Sequence, residues 1–281
     1  MVTRALSMAA LGLLCAATGS APASGGGPSP GVVQSSDGIA RGNLRYVAIA
    51  GGDQTVVEAI SRRTGRVVHY LFVQGKYGIP SVAFDGTTDG LSRDGRTLVL
   101  GGFAGNQQLR KSSSFAVIDV RGFRLHSVPR LRGDFSFDAL SPDGRMLYLI
   151  EHVSSQDLSR YRVRAYDLKA DRLLAKMVTD KRRWQSVMQG VPLSRATSSS
   201  GRWVFTLYGG NAHPFVHSLD TEKAYAVCID LPRSWQGLDA SGLRLRIRAD
   251  GRLVVRYRLG GKPLAIVDTK SFRVLTAVRI R

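Results

Sequence analysis

Residues 140–151 read LSPDGRMLYLIE. A Pro142-Asp143-Gly144 turn opens straight into an alternating apolar run. Aspartate hydrogen-bonds turn backbone, glycine accepts a positive φ, and alternation at period two marks a strand. Near-copies begin at Leu91 (LSRDGRTLVLGG), Ser198 (SSSGRWVFTLYGG) and Arg248 (RADGRLVVRYRLGG). Their turn glycines Gly95, Gly144, Gly201 and Gly251 lie 49, 57 and 50 residues apart. Self-similarity at that period marks a repeat architecture.

Each copy extends in the same way. After the turn comes a strand: Thr97–Leu100, Met146–Ile150, Trp203–Leu207 or Leu253–Tyr257. A second strand ends in Asp119, Asp167, Asp220 or Asp268, and a third follows (FRLHSV, RLLAKMV, AYAVCI, FRVLTAV). Another strand leads into each turn: SVAFD near Ser81, FSFDAL near Phe135, VPLSRAT near Val191 and LRLRIR near Leu243. An earlier copy, LRYVAIAGG, TVVEAIS and GRVVHYLFV, ends its second strand in Ser61 instead of Asp. The residues are β-branched and aromatic, bounded by Gly, Asp and Pro, and no helical stretch stands out.

A lone four-stranded unit cannot cover both faces, but radial packing buries them. The expected fold is therefore all-β, a β-propeller of four-stranded blades. Five blades are favoured; six would follow if VLTAVRIR or residues 31–40 formed a weakly marked unit. Either GVVQ from Gly31 supplies the first blade's missing strand, or the N-terminal strand completes the last blade and closes the ring. The strand-end aspartates are expected to cap turns rather than to catalyse.

LSPDGRMLYLIE and FAVIDV resemble the repeats of YVTN-type and WD40-like bacterial propeller families, over roughly Leu44 to Arg281. Ser61 and Ser199-Ser200-Gly201 depart from the pattern. The resemblance implies the fold and a bacterial setting, and says little of function, because propellers host many activities.

The chain start reads as a secretory signal peptide over residues 1–23: Arg4, an apolar stretch to about Ala17, then Ala21-Pro22-Ala23. Cys15 offers lipoprotein processing as an alternative, but Leu14 stands where a small residue is expected. Residues 24–43 read as a Gly/Ser/Pro-rich linker and 44–281 as the propeller domain. The expected location is extracytoplasmic, secreted or at the cell envelope, and no later segment is a transmembrane span. Cys228, in an apolar strand, reads as a small buried side chain.

The formal charge is +19, with arginine far more common than lysine. That favours an acidic protein or an anionic envelope component as partner. Export and the lack of a recognition motif argue against nucleic acid. The inter-blade loops each pair cations with aromatics, and the candidate ligand-binding residues are Lys76, Tyr77, Arg132, Lys181, Arg182, Arg183, Trp184, Arg233 and Trp235, with Phe135 beside Arg132. Arginine forks match carboxylate and phosphate, and flat rings stack on sugars or on arginine. The bland alternative is that those rings cap the core. No cofactor is expected. No metal is expected either: His213 and His217 stand four apart, but Pro214 intervenes and no Cys/His cluster adds ligands. The sequence favours a non-enzymatic binding or scaffold module. Its rival is a propeller hydrolase or lactonase with acids or histidines in the central channel, drawn from Asp85, Asp89, Asp134, Asp138, His152 and His213. No G-x-S-x-G is present.

Overall fold

In the computed structural model, described for residues 32–33, 38–103, 109–180, 182, 187–209 and 213–279, five antiparallel sheets follow one another along the chain. Blade 1 holds Ile39–Arg41, Leu44–Gly51, Gln54–Ser61 and Val67–Gln74. Blade 2 holds Tyr77–Pro80, Thr97–Gly102, Ser112–Asp119 and a split outer strand, Arg124–Ser127 with Arg130–Arg132. Blade 3 holds Phe135–Leu140, Met146–His152, Arg160–Asp167 and the short Arg172–Leu173 and Met188–Gln189. Blade 4 holds Val191–Thr197, Trp203–Gly209, Phe215–Asp220 and Tyr225–Asp230. Blade 5 holds Leu243–Ile247, Leu253–Tyr257, Ala265–Asp268 and Arg273–Ala277. The fold is a five-bladed β-propeller, as the repeat spacing indicates. In each blade the last strand is the most exposed, which sets it at the outer edge and the first strand near the axis.

The N-terminal expectations need correcting. Val32–Val33 pairs with Pro80 and Ile79 in blade 2, so it neither completes blade 1 nor closes the last blade. Blade 1 has its own first strand, Ile39–Arg41, hairpinned to Leu44 through Gly42, so the blades begin ahead of Leu44. The strand expected near Ser81 is Tyr77–Pro80 instead; Ser81 makes only an isolated bridge to Thr88. The signal-peptide residues, Cys15 and most of the linker lie outside the described residues.

The repeated turn explains itself atom by atom. In blade 3, Ser141 Oγ donates to Asp143 Oδ1 at 2.6 Å and accepts from Met146 N at 2.8 Å, while Arg145 N donates to Asp143 at 3.1 Å. Blade 2 repeats this with Ser92 and Asp94. Blade 4 keeps the scheme with Ser200 in the aspartate's place, at 3.2 and 3.3 Å. Gly144, at φ 71°, packs so closely on blade 2 that a Cβ would sit 2.4 Å from Thr97 Oγ1. The strand-end aspartates cap the next turn. Asp167 accepts from Lys169 N and Ala170 N, and Asp220 from Glu222 N and Lys223 N, at 2.9–3.0 Å. Four residues after each aspartate stands a left-handed residue: Phe123, Asp171, Ala224 or Phe272. Blade 1 has Ser61 and Gly65 at those places.

Four apolar cores join blades 1 to 2, 2 to 3, 3 to 4 and 4 to 5. Among the described residues no apolar cluster, hydrogen bond or ion pair joins blade 5 to blade 1.

Candidate functional site

Titratable chemistry gathers near the axis. The first strand of blade 3 carries a bulge between Phe137 and Ala139, which leaves Asp138 outside the ladder. A bulge frees backbone groups that need partners. The partner is Arg195, from the first strand of blade 4. Its guanidinium donates to Asp138 O and to Asp138 Oδ1, and its Nε donates to Thr206 Oγ1 at 3.0 Å. The pair is sealed: the Arg195 and Asp138 side chains are 2% and 3% exposed. Blade 4 has a matching irregularity between Pro192 and Ser194. There Pro192 O and Leu193 O accept from Phe84 N and Asp85 N, on the segment that follows blade 2's first strand. That segment ends at Asp89, whose carboxylate lies 3.9 Å from Arg195 and is 21% exposed.

One guanidinium thus serves two carboxylates. Burial pushes the Asp89 carboxyl up to about 6, and the nearby Asp138 adds to this against the pull of Arg195 and the Gly90 N–H. His217, buried beside Tyr208, is pushed down to about 4, chiefly by burial. The cavity between Phe137, Tyr161, Arg195 and Tyr208 measures only about 10 Å3, room for roughly one water molecule. The arrangement ties blades 2, 3 and 4 together and leaves no space for an organic substrate beside Asp138.

A second set sits where blade 3 begins. Arg110 pairs with Asp134 at 2.6 Å, and Ser136 Oγ lies 3.1 Å from His152 Nε2. Asp134 and His152 are buried, and burial lowers the His152 pKa. The other acids and histidines considered from sequence do not converge. Asp85 caps its own turn through Thr87, and His213 Nε2 lies 3.5 Å from Asp230. Among the described residues no group of three or more His, Cys, Asp or Glu is placed to hold a metal. Cys228 is half-buried, and its N–H donates to Asp180.

The inter-blade loops divide cleanly by residue type. Lys76, Arg132 and Arg233 are exposed. Tyr77 and Trp235, at 3% and 0% exposure, are core residues, as is Phe135. Tyr77 belongs to the core between blades 1 and 2. Trp235 belongs to that between blades 4 and 5, and its Nε1 donates to Val278 O at 2.9 Å. These rings anchor loops rather than face solvent. Arg182 grips Asp180 through Nε and Nη2 and also donates to Cys228 O. Lys181, Arg183 and Trp184 lie outside the described residues.

The opposite end of the blades also carries charge, though loop composition does not single it out. It is built from the ten turns that join first to second and third to fourth strands: residues 41–43, 62–66, 91–96, 119–124, 141–145, 167–172, 198–202, 220–224, 248–252 and 268–273. The turns of blades 1 to 4 touch one another: Arg41 donates to Ser92 O, Asp94 N to Pro142 O, and Gly201 backs onto Arg93. Every one of the ten carries an arginine or lysine, and cations outnumber carboxylates nearly two to one. Most of the carboxylates cap backbone N–H groups and also pair with arginines of the same end, namely Arg96, Arg124, Arg145, Arg202, Arg248 and Arg252, while Arg62, Arg63, Arg66, Arg93 and Arg121 are exposed and stand outside these ion pairs.

No protein-family model matches the sequence, and no curated protein matches it. Solved structures do resemble the fold. The dihydro-haem d1 dehydrogenase NirN in complex with DHE is 12% identical, with a TM-score of 0.50 over 89% of this chain and 48% of that one. A prolyl endopeptidase is 12% identical, with a TM-score of 0.50 over 84% of this chain and 34% of the other. The β-propeller domain of Cps50 (Swd1) from Myceliophteria thermophila is 13% identical, with a TM-score of 0.45 over 83% and 68%. The chain spans about half the length of NirN and a third of the endopeptidase. At such identities the likeness concerns the propeller fold alone.

Proposed function

We propose that this chain is an exported β-propeller binding module that engages an anionic polymer through the cationic end formed by its ten turns. The observation that carries the reading is the cation on every turn of that end, with Arg62, Arg63, Arg66, Arg93 and Arg121 exposed and outside the ion pairs that join the other arginines to the turn carboxylates. Exposed guanidinium groups pair with phosphate or carboxylate bidentately. The likeness of the turn motif to YVTN-type repeats and the signal-peptide pattern at residues 1–23 agree with a cell-envelope setting. The test is binding to a defined polyanion, poly-glutamate, by the wild type and by an Arg62→Glu, Arg93→Glu, Arg121→Glu, Arg248→Glu variant. Loss of binding with an unchanged fold supports the reading; equal binding overturns it.

One observation favours a second reading, a hydrolase. Asp89 is partly exposed, carries a raised pKa and faces Arg195, a set suited to proton transfer. That reading requires turnover of small esters or lactones that Asp89→Asn abolishes while folding is retained.

A further inference from the structure

Five blades need five interfaces to close a ring, and the described residues supply four. Among the described residues, blade 1 and blade 5 therefore each present one sheet face with no neighbouring blade packed on it. Strand alternation shows what those faces hold. On blade 1 the covered face carries Tyr46, Ala48, Val57, Ala59 and Val73. The other face carries the cross-strand rows Ile49–Val56–Phe72 and Val47–Glu58–Tyr70, of which Val47 is buried, Val56 and Glu58 half-buried and the rest exposed. Tyr70 is 66% exposed, Phe72 60% and Ile49 48%, and the two rings pack edge to face. Solvent-exposed aromatics grouped on one sheet face mark an interaction surface.

The free face of blade 5 is different. Its rows are Arg246–Val254–Ile266–Thr276 and Arg244–Arg256. On this face Val254 is buried, at 6% exposure, Ile266, Arg244 and Arg256 are half-buried, and Arg246 and Thr276 are exposed, so three guanidinium groups flank the aliphatic pair. The two faces are complementary: arginine stacks on tyrosine and phenylalanine rings, and Glu58 offers a carboxylate amid the apolar rows. Each of the other blades is already sandwiched by this kind of sheet-to-sheet packing.

We propose that the outer face of blade 1 is covered by the outer face of blade 5 of a second copy of this chain. The contact is heterologous, because the two patches differ and lie at opposite ends of the blade series. Two copies that satisfy both contacts form a closed dimer; otherwise the contact propagates. This surface is separate from the cationic turn end, so the two proposals stand or fall independently.

The test is the mass of the full chain in solution by light scattering, across a concentration series. The expected result is a dimer or larger assembly for the wild type. Phe72→Arg and the double variant Arg244→Glu, Arg246→Glu are expected to shift it to monomer, with far-ultraviolet circular dichroism unchanged. Mixing the two variants restores one intact contact, so a heterodimer is expected at equimolar ratio. A wild type that stays monomeric at all concentrations overturns the proposal. So does an assembly whose mass is indifferent to both variants, which places the contact elsewhere. A Phe72→Cys, Thr276→Cys chain that crosslinks only within itself overturns it too, because blade 5 of the same copy is then the occupant.

Discussion

Replacing Arg195 with Met should cost more stability than any surface change in this chain. The side chain is 2% exposed and donates three hydrogen bonds, two to Asp138 and one to Thr206. Its loss leaves the 3%-exposed Asp138 carboxylate and the nearby Asp89 without a counter-charge. Removing one member of a buried ion pair costs about 3–5 kcal/mol, because the remaining charge is uncompensated. For a domain of this size each kcal/mol shifts Tm by roughly 2–4 °C, so the midpoint should fall by roughly 6–20 °C. Equilibrium unfolding in urea, followed by the fluorescence of the three tryptophans, measures the free-energy loss, and a thermal melt measures the shift in Tm. The companion variant Arg195→Met, Asp138→Leu removes both charges of the sealed pair, leaves only the part-exposed Asp89 unpaired, and should recover most of the loss, as replacing a buried pair by apolar groups is close to neutral. A single-variant loss below about 1 kcal/mol, or a double variant no better than the single, would refute the view that the cluster is a strut between blades 3 and 4.

Two further outcomes follow from the same geometry. His217, pushed down to about 4 from an ordinary 6.5, stays neutral in the fold while the unfolded chain takes up a proton. Its contribution is therefore present above pH 6.5 and is lost as pH falls towards 4, by up to about 3 kcal/mol. His217→Phe should flatten the stability–pH curve across that window, and an unaltered slope in urea titrations would count against it. Ser200→Asp restores the aspartate of the repeated turn in blade 4, where the hydroxyl now bonds at 3.2 and 3.3 Å. A gain of about 0.5–1 kcal/mol is expected from the shorter charge-assisted bonds, and calorimetry would show it as a raised Tm.

Much of the fold is legible because its signals are local. The Ser-x-Asp-Gly turn bonds within five residues, and Asp167 or Asp220 caps the turn next to it. Spacing between such turns then counts the blades. What escaped was non-local. Arg195 and Asp138 are 57 residues apart, and neither sits in a recognisable pattern. The bulge that leaves Asp138 unpaired has no composition of its own. Asp89 and Asp138 stood out only as acids outside the repeat. The inter-blade loops misdirect for a different reason: composition pairs Trp235 with Arg233 and Tyr77 with Lys76, but only packing says which way each points. In both pairs the ring faces the core and the cation faces water. The N-terminal segment misled for want of length, since Val32–Val33 is two residues of strand with no periodicity to read.

The most direct test of the binding account is a salt titration of poly-glutamate binding by the wild type, beside a turn-end variant and an opposite-end variant. The first carries Arg62→Glu, Arg93→Glu, Arg121→Glu and Arg248→Glu; the second carries Lys76→Glu, Arg132→Glu and Arg233→Glu. Wild-type affinity should fall steeply with rising salt as exposed charge contacts are screened. The turn-end variant should lose most of its binding, while the opposite-end variant keeps it. Binding that survives the turn-end reversal, or that disappears with the opposite-end one, would contradict the assignment.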